Sequence, residues 1–108
     1  MRAGWVIGGS TAMLMAFPAA AEIGAARRQE LRQLLAQDCG SCHGLTRKGG
    51  LGPALTPQAL AGKDPYQLRQ TILDGRHGTP MAPWKLFLNG EEASWLVEQL
   101  LKGEADGR

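Results

Sequence analysis

Residues 39–43 read Cys-Gly-Ser-Cys-His, and this stretch decides how the 108-residue chain folds. The thiols of Cys39 and Cys42 are about one helical turn apart, a spacing that suits addition to the two vinyl groups of a haem. The adjacent imidazole of His43 is then aimed at the iron from the same side. The stretch therefore predicts a site for one covalent haem c, with His43 as a ligand of the metal.

Three other chemistries use the same residue types. A Cys39–Cys42 disulfide closes a very short loop and stabilises little, and a thioredoxin-like redox motif expects a βαβ unit. Zinc held by Cys39, Cys42, His43 and His77 has suitable ligand types. However, 34 positions separate the two histidines, whereas a zinc finger places its histidines a few residues apart. The motif favours haem, and a haem-free zinc or thiol module is the alternative.

The N-terminus has the form of an export signal. Arg2 precedes an uncharged stretch that ends at Ala21, and Ala19 and Ala21 occupy the small-residue positions that a signal peptidase needs. We expect residues 1–21 to be a signal peptide and residues 22–108 to be a single exported domain, which is periplasmic in a bacterium. A retained membrane anchor is the alternative, although Gly, Ser, Thr and Pro residues dilute the hydrophobicity of the stretch.

Composition places the exported domain in the all-α class. After position 21 the β-branched apolar residues are only Ile23, Ile72 and Val97, and strands need such residues in alternation. Helical patterns cover 24–38, 64–75 and 89–103, and a short helical turn is expected near 57–61. Loops at 44–53 and 75–83 are rich in Gly and Pro. The core has few aromatic residues, and Gly is about 14% of the chain, roughly twice its usual share.

Local signals fix where two of these helices begin. Asp64 is a good N-cap residue followed by Pro65 at the first helical position. Asn89 has Glu92 three positions later, which is the spacing of a capping box. The formal net charge is only +2, which gives no sign of a nucleic-acid-binding surface.

Met81 is the predicted distal ligand of the iron. It is the only Met after position 21 and lies between Pro80 and Pro83, away from any helical stripe. A thioether ligand there favours ferrous iron. A gap-filling role in the core is the simplest alternative for a lone Met. His77 is the rival ligand, since bis-His coordination gives a lower potential, but its neighbours are typical of an exposed loop.

Taken in order, the sequence resembles the class I c-type cytochromes, which are small monohaem proteins. The resemblance covers about residues 24–103 and is carried by Cys39 to Gly44, by Gly52-Pro53-Ala54-Leu55, by the Pro80 to Trp84 loop and by the last helix. Residues 71–101 look most similar to cytochrome c55X, from denitrification gene clusters. The resemblance implies three main helices and loops wrapped around one covalent haem. It also implies that the Pro53 carbonyl accepts the Nδ1 proton of His43 and that the first and last helices cross.

The implied function is electron transfer rather than catalysis. With both axial positions filled by His43 and Met81, the iron has no site for a substrate, so it carries one electron at a time. The likeness to c55X implies nitrite respiration, with a haem-d nitrite reductase as a transient redox partner. We also expect a monomer, and contact with a membrane only if the leader is retained. A haem-ligand-binding sensor and a haem-d maturation factor are the alternatives. A mildly positive docking rim on the loops is one hypothesis for Arg47, Lys48, Lys63, Arg76 and Lys85. A scattered solvated surface is the alternative, because the net charge is only slightly positive.

Overall fold

A computed structural model describes residues 2–6, 8–15 and 22–103. The described part of the chain contains helices and no strand, which confirms the all-α prediction. The elements are α1 (Ala25–Leu34), a π-helical segment π1 (Leu35–Cys39), α2 (Gly40–His43), α3 (Pro57–Leu60), α4 (Pro65–Asp74) and α5 (Gly90–Lys102). Ala19 and Ala21, the predicted cleavage signal, lie outside the described residues.

The first helix runs further than its sequence pattern predicts. Instead of ending at Asp38, it passes through π1 and reaches His43 in α2 without a break. A π turn widens the helix by one residue and often occurs at functional sites. Its effect here is to place Cys39 at the end of the wide turn and His43 at the end of the helix.

Helices α4 and α5 begin where their capping residues predict. The Asp64 carboxylate accepts the backbone N–H of Tyr66 at 2.9 Å, and Pro65 is the first residue of α4. Asn89 and Glu92 form the complete capping box at α5, with the Glu92 N–H donating to the Asn89 side chain at 2.8 Å. Gly103 ends α5 in the left-handed conformation that commonly closes a helix.

The core is aliphatic and is built mostly by α1, π1 and α5. Its main cluster of buried side chains consists of leucines: Leu31, Leu35, Leu60, Leu88, Leu96 and Leu100. Ala93 and Val97 of α5 are buried as well. Helix α4 packs on α5 and adds half-buried Leu68, Ile72 and Leu73 around this cluster. The three main helices therefore bury their apolar side chains in one shared cluster.

Two arginines of α1 connect that helix to α5 and to the turn before it. The Arg27 guanidinium donates to the Glu92 carboxylate and to the Phe87 carbonyl at 2.9 Å. Arg32 lies over the Trp95 ring, 5.3 Å from its centroid. These contacts link the first and last helices beside the leucine core.

Within the described residues, no helix is both long and apolar enough to cross a bilayer.

Candidate functional site

The two cysteines sit at the end of the first helix and differ in exposure. Cys39 is half-buried and Cys42 is exposed, and neither is in a disulfide. Burial, with a smaller contribution from the nearby Asp38 charge and against the opposing effect of Arg47, raises the pKa of the Cys39 thiol to about 11. The Cys39 sulfur is therefore a protonated thiol at neutral pH. Both sulfurs are available for covalent attachment.

The ring of His43 is buried and its proton is fixed. The side chain of this last residue of α2 is 8% exposed, and its Nδ1 lies 2.7 Å from the carbonyl oxygen of Pro53. A carbonyl only accepts, so Nδ1 carries the proton, and in the neutral ring Nε2 keeps its lone pair. A partner of this kind orients the ring and raises its basicity toward a metal. The contact joins His43 to the residue expected from the family resemblance.

The loop after His43 folds back tightly over it. The Gly52 N–H donates to the Cys42 carbonyl at 2.8 Å, which brings the Gly52 backbone against the imidazole. A Cβ at position 52 would lie 2.7 Å from Cε1 and 2.8 Å from Nδ1 of His43. Only glycine leaves room for the ring at this distance, and Pro53 follows directly. Residues 52 and 53 thus form one wall of the His43 site.

Met81 lies in the second loop and is half-buried. Its N–H donates to the Thr79 hydroxyl at 3.3 Å, and its carbonyl accepts the N–H of Arg76 at 3.1 Å. His77, the rival ligand, is exposed in the same loop. Distal ligation by Met81 stays a prediction, while the loop that carries this residue is a well-bonded structure.

Large apolar side chains lie exposed within the first loop and just after the second loop. Leu45 and Leu51 in the first loop are 76% and 89% exposed, and Leu86 and Phe87 after the second loop are 86% and 65% exposed. Such residues in loops otherwise built from Gly and Pro suit a large flat apolar group. Together with two thiols and an Nε2 lone pair, they fit a haem attached at Cys39 and Cys42.

The structure does not support the zinc alternative. Among residues 2–6, 8–15 and 22–103, no group of three or more His, Cys, Asp or Glu side chains is placed to hold a metal ion. Cys39, Cys42, His43 and His77 all fall in that part of the chain, so they are not assembled as a four-ligand cluster. A haem needs only the two thiols and His43 in that stretch.

The prediction that Arg47 belongs to an exposed docking rim is wrong. Arg47 is 6% exposed, because its backbone is left-handed, with φ 57°, and turns the residue inward. Its N–H donates to the Gly44 carbonyl at 2.8 Å, and its own carbonyl accepts the Leu55 N–H at 2.8 Å. Arg47 therefore helps to close the first loop. The remaining rim residues are exposed: Lys48, Lys63, Arg76 and Lys85.

Two features of the site are not predicted by the sequence. One is the π turn that ends at Cys39, for which residues 35–39 carry no breaker or cap signal. The other is the burial of Arg47, since a charged residue in a Gly-rich loop is normally solvated. Both depend on how the loop packs on the helix end. Pattern and propensity do not report that packing.

Helices that carry a Cys-x-x-Cys-His stretch, with a proton-fixed histidine and a loop wrapped against it, define the class of small c-type cytochromes. The chain matches the protein family described as cytochrome c oxidase, cbb3-type, subunit III over residues 26–99. It is 60% identical over 80 residues to cytochrome c55X of Pseudomonas aeruginosa, covering 73% of this chain and 67% of that protein.

Solved and curated relatives extend this result. The structure of the c-type cytochrome NirC superposes with a TM-score of 0.76 at 55% identity, covering 78% of this chain and 99% of that one. The dihydro-heme d1 dehydrogenase of P. aeruginosa is 43% identical over 67 residues, which are 62% of this chain and 14% of that enzyme. The chain belongs to the cytochrome c55X family, whose members are haem electron carriers rather than enzymes.

Proposed function

We propose that this chain is an exported one-electron carrier with a single covalent haem c, bound through Cys39 and Cys42 and ligated by His43 and Met81. The observation that carries the proposal is the 2.7 Å contact between His43 Nδ1 and the Pro53 carbonyl. It leaves Nε2 as the only lone pair of a buried imidazole one residue from an exposed cysteine. That is the state a metal-binding histidine needs.

The residues of the chain hold the site still while the charge changes. When bound, the haem supplies an iron centre that gains and loses one electron. Pro53 keeps the Nδ1 proton of His43, so the imidazole stays in one tautomer and one orientation. Met81 has its N–H and its carbonyl both hydrogen-bonded. Two ligands fixed in this way keep the same geometry in both oxidation states.

Absorption spectra of the holoprotein test this assignment. A pyridine haemochrome spectrum with a c-type α-band is expected from periplasmically expressed protein, and its absence would refute the covalent haem. The oxidised protein should show the weak far-red band of a Met–ferric bond. This band should vanish in Met81→Ala and persist in His77→Ala, which is the matched control in the same loop. The reverse pattern would make His77 the distal ligand.

Export to the periplasm is the second part of the proposal. It rests on Arg2, the uncharged stretch and the Ala19-x-Ala21 signal, and on a family whose haem is attached outside the cytoplasm. We expect the mature protein to begin at Glu22. N-terminal sequencing of periplasmic and membrane fractions checks this, and an intact leader in the membrane fraction would show a retained anchor instead.

The electron partner is proposed to belong to nitrite respiration, with a haem-d nitrite reductase as acceptor. A second candidate is a role in haem-d maturation, favoured by the 43% identity to part of a dihydro-heme d1 dehydrogenase. Stopped-flow mixing separates the two. A nitrite reductase should oxidise the reduced monomeric holoprotein, whereas a dehydrogenase that takes electrons from dihydro-haem d1 should reduce the oxidised holoprotein. If Lys48, Lys63, Arg76 and Lys85 form the docking rim, the rate with the true partner falls as salt rises.

A further inference from the structure

Gly75 lies where the loop that carries Met81 returns to the end of α4. Its φ of +69° is a conformation that side chains rarely adopt. A Cβ at this position would lie 2.5 Å from the Met81 carbonyl oxygen, 2.8 Å from the Ala82 carbonyl carbon and 2.8 Å from the Pro83 nitrogen. These neighbours are backbone atoms, so no side-chain rotation relieves the collision. The Met81–Pro83 backbone is packed directly on the bare backbone of Gly75.

The same loop supplies the hydrogen bonds that end α4. A helix leaves its last carbonyls without partners inside the helix. Here the N–H groups of Trp84 and Lys85 donate to the carbonyls of Ile72 and Leu73 at 3.0 and 3.2 Å. The end of α4 and the loop beyond Met81 are consequently one hydrogen-bonded unit, and moving the loop exposes the helix end.

Thr79 holds Met81 from the other side. Its hydroxyl donates to the Arg76 carbonyl at 2.7 Å and accepts the Met81 N–H at 3.3 Å. The Arg76 N–H in turn donates to the Met81 carbonyl at 3.1 Å. Because Pro80 fixes the φ angle just before Met81, the direction in which the thioether leaves the backbone has little freedom.

We propose that Gly75 and Thr79 are the positioning residues for Met81, and that they keep its thioether on the metal against competing external ligands. The proposal rests on the proposed His43/Met81 ligation and extends it to residues that touch neither haem nor metal. Gly75 allows the close approach of the loop to α4, and the Thr79 hydroxyl fixes the Met81 N–H. Loosening either contact increases the fraction of molecules in which the distal position is open.

Imidazole titration of the ferric holoprotein measures that fraction, because apparent affinity scales with the open population. We expect Gly75→Ala to bind imidazole about tenfold more tightly than wild type and to show a weaker far-red Met–ferric band. Gly78→Ala is the matched control. Its φ is also positive, at +75°, but nothing lies within 4 Å of the added methyl. It carries the same backbone strain without the collision, and its imidazole affinity should stay that of wild type.

We call the contacts of Gly75 and Thr79 with the Met81 loop the Met81 clamp. A second pair of variants tests this clamp at Thr79, and it decides between the outcomes if Gly75→Ala yields no holoprotein. Thr79→Val keeps the shape and removes the hydroxyl, whereas Thr79→Ser keeps the hydroxyl. Imidazole affinity should rise in Thr79→Val and remain at the wild-type value in Thr79→Ser. A merely structural role for Thr79 would lower thermal stability in Thr79→Val without changing the far-red band or the imidazole affinity.

The outcomes separate this proposal from the ligation on which it rests. Wild-type protein with a far-red band, together with unchanged imidazole affinity in Gly75→Ala and Thr79→Val, would overturn the clamp and leave Met81 as ligand. Wild-type protein without the band, binding imidazole as tightly as Met81→Ala does, would overturn both. A tenfold change confined to the clamp variants supports both.

Discussion

Substitution of Gly52 is a direct test of how the His43 site is built. A methyl added there would stand 2.7 Å from Cε1, 2.8 Å from Nδ1 and 3.2 Å from Nε2 of His43. Carbon atoms in contact normally lie about 3.5 Å or more apart, so the ring and residue 52 must separate by roughly 1 Å. Pro53 moves with residue 52, and therefore the acceptor of the Nδ1 proton moves as well.

A shift of that size breaks a 2.7 Å hydrogen bond. Losing such a bond costs about 1 kcal/mol of net interaction. In the proposed ligation the bond would make His43 a more basic ligand, which would favour the ferric, more positive state of the metal. If the whole loss falls on the ferric state, the reduction potential of Gly52→Ala rises by roughly 40 mV, since a tenfold change in a one-electron equilibrium is about 59 mV.

Spectroelectrochemical titration of the holoprotein measures this shift. Gly40→Ala is the matched control, because it adds the same methyl between the two cysteines, where the nearest atom is at an ordinary 3.5 Å. The control should keep the wild-type potential. A Gly52→Ala protein with wild-type potential and wild-type free energy of unfolding would refute the reasoning, since it would show that the loop accepts the methyl without disturbing His43.

Two further predictions concern stability. The hydrogen bond from Arg27 holds the pKa of Glu92 below its usual 4.5. Its contribution is therefore present above pH 4.5 and is lost as pH falls through the lower folded-state pKa. Glu92→Gln should lower the free energy of unfolding of the holoprotein, measured in urea at neutral pH, by about 1 kcal/mol. A difference from wild type that persists in acid would contradict this pH dependence. Replacing Cys39 and Cys42 together by serine should prevent covalent haem attachment and abolish the cooperative unfolding transition followed by far-UV circular dichroism, whereas retention of that transition would show that the polypeptide folds alone.

The helix ends of this protein are predictable because their signals are local. Asp64 with Pro65, and Asn89 with Glu92, satisfy orphan N–H groups within three residues of themselves, so short stretches of sequence contain the whole interaction. The pairing of Arg27 with Glu92 spans 65 positions. No local pattern connects the two residues, and only the packing of α1 beside α5 shows that they are partners.

The same distinction applies to the site. The Cys-x-x-Cys-His spacing is a local requirement of the chemistry and is legible in five residues. The contact of His43 with Pro53 could be predicted only from resemblance to a family. Ten positions separate the two residues, so no local pattern indicates the contact. The inward turn of Arg47 and the π turn before Cys39 arise from how the loop closes on the helix end. Neither has a residue pattern of its own.

The scarcity of aromatic residues gives the final physical argument for a bound haem. The fully buried core cluster consists of six leucines, and none of the aromatic side chains that the structure describes is fully buried. At the same time Leu45, Leu51 and Leu86 are each more than three-quarters exposed. They lie in the loop that follows His43 and just after the loop that carries Met81. A domain this small gains little from its core alone. In the proposed holoprotein, a covalently held apolar ring system would cover these side chains and supply the missing core, so attachment at Cys39 and Cys42 would stabilise the fold as well as enable electron transfer.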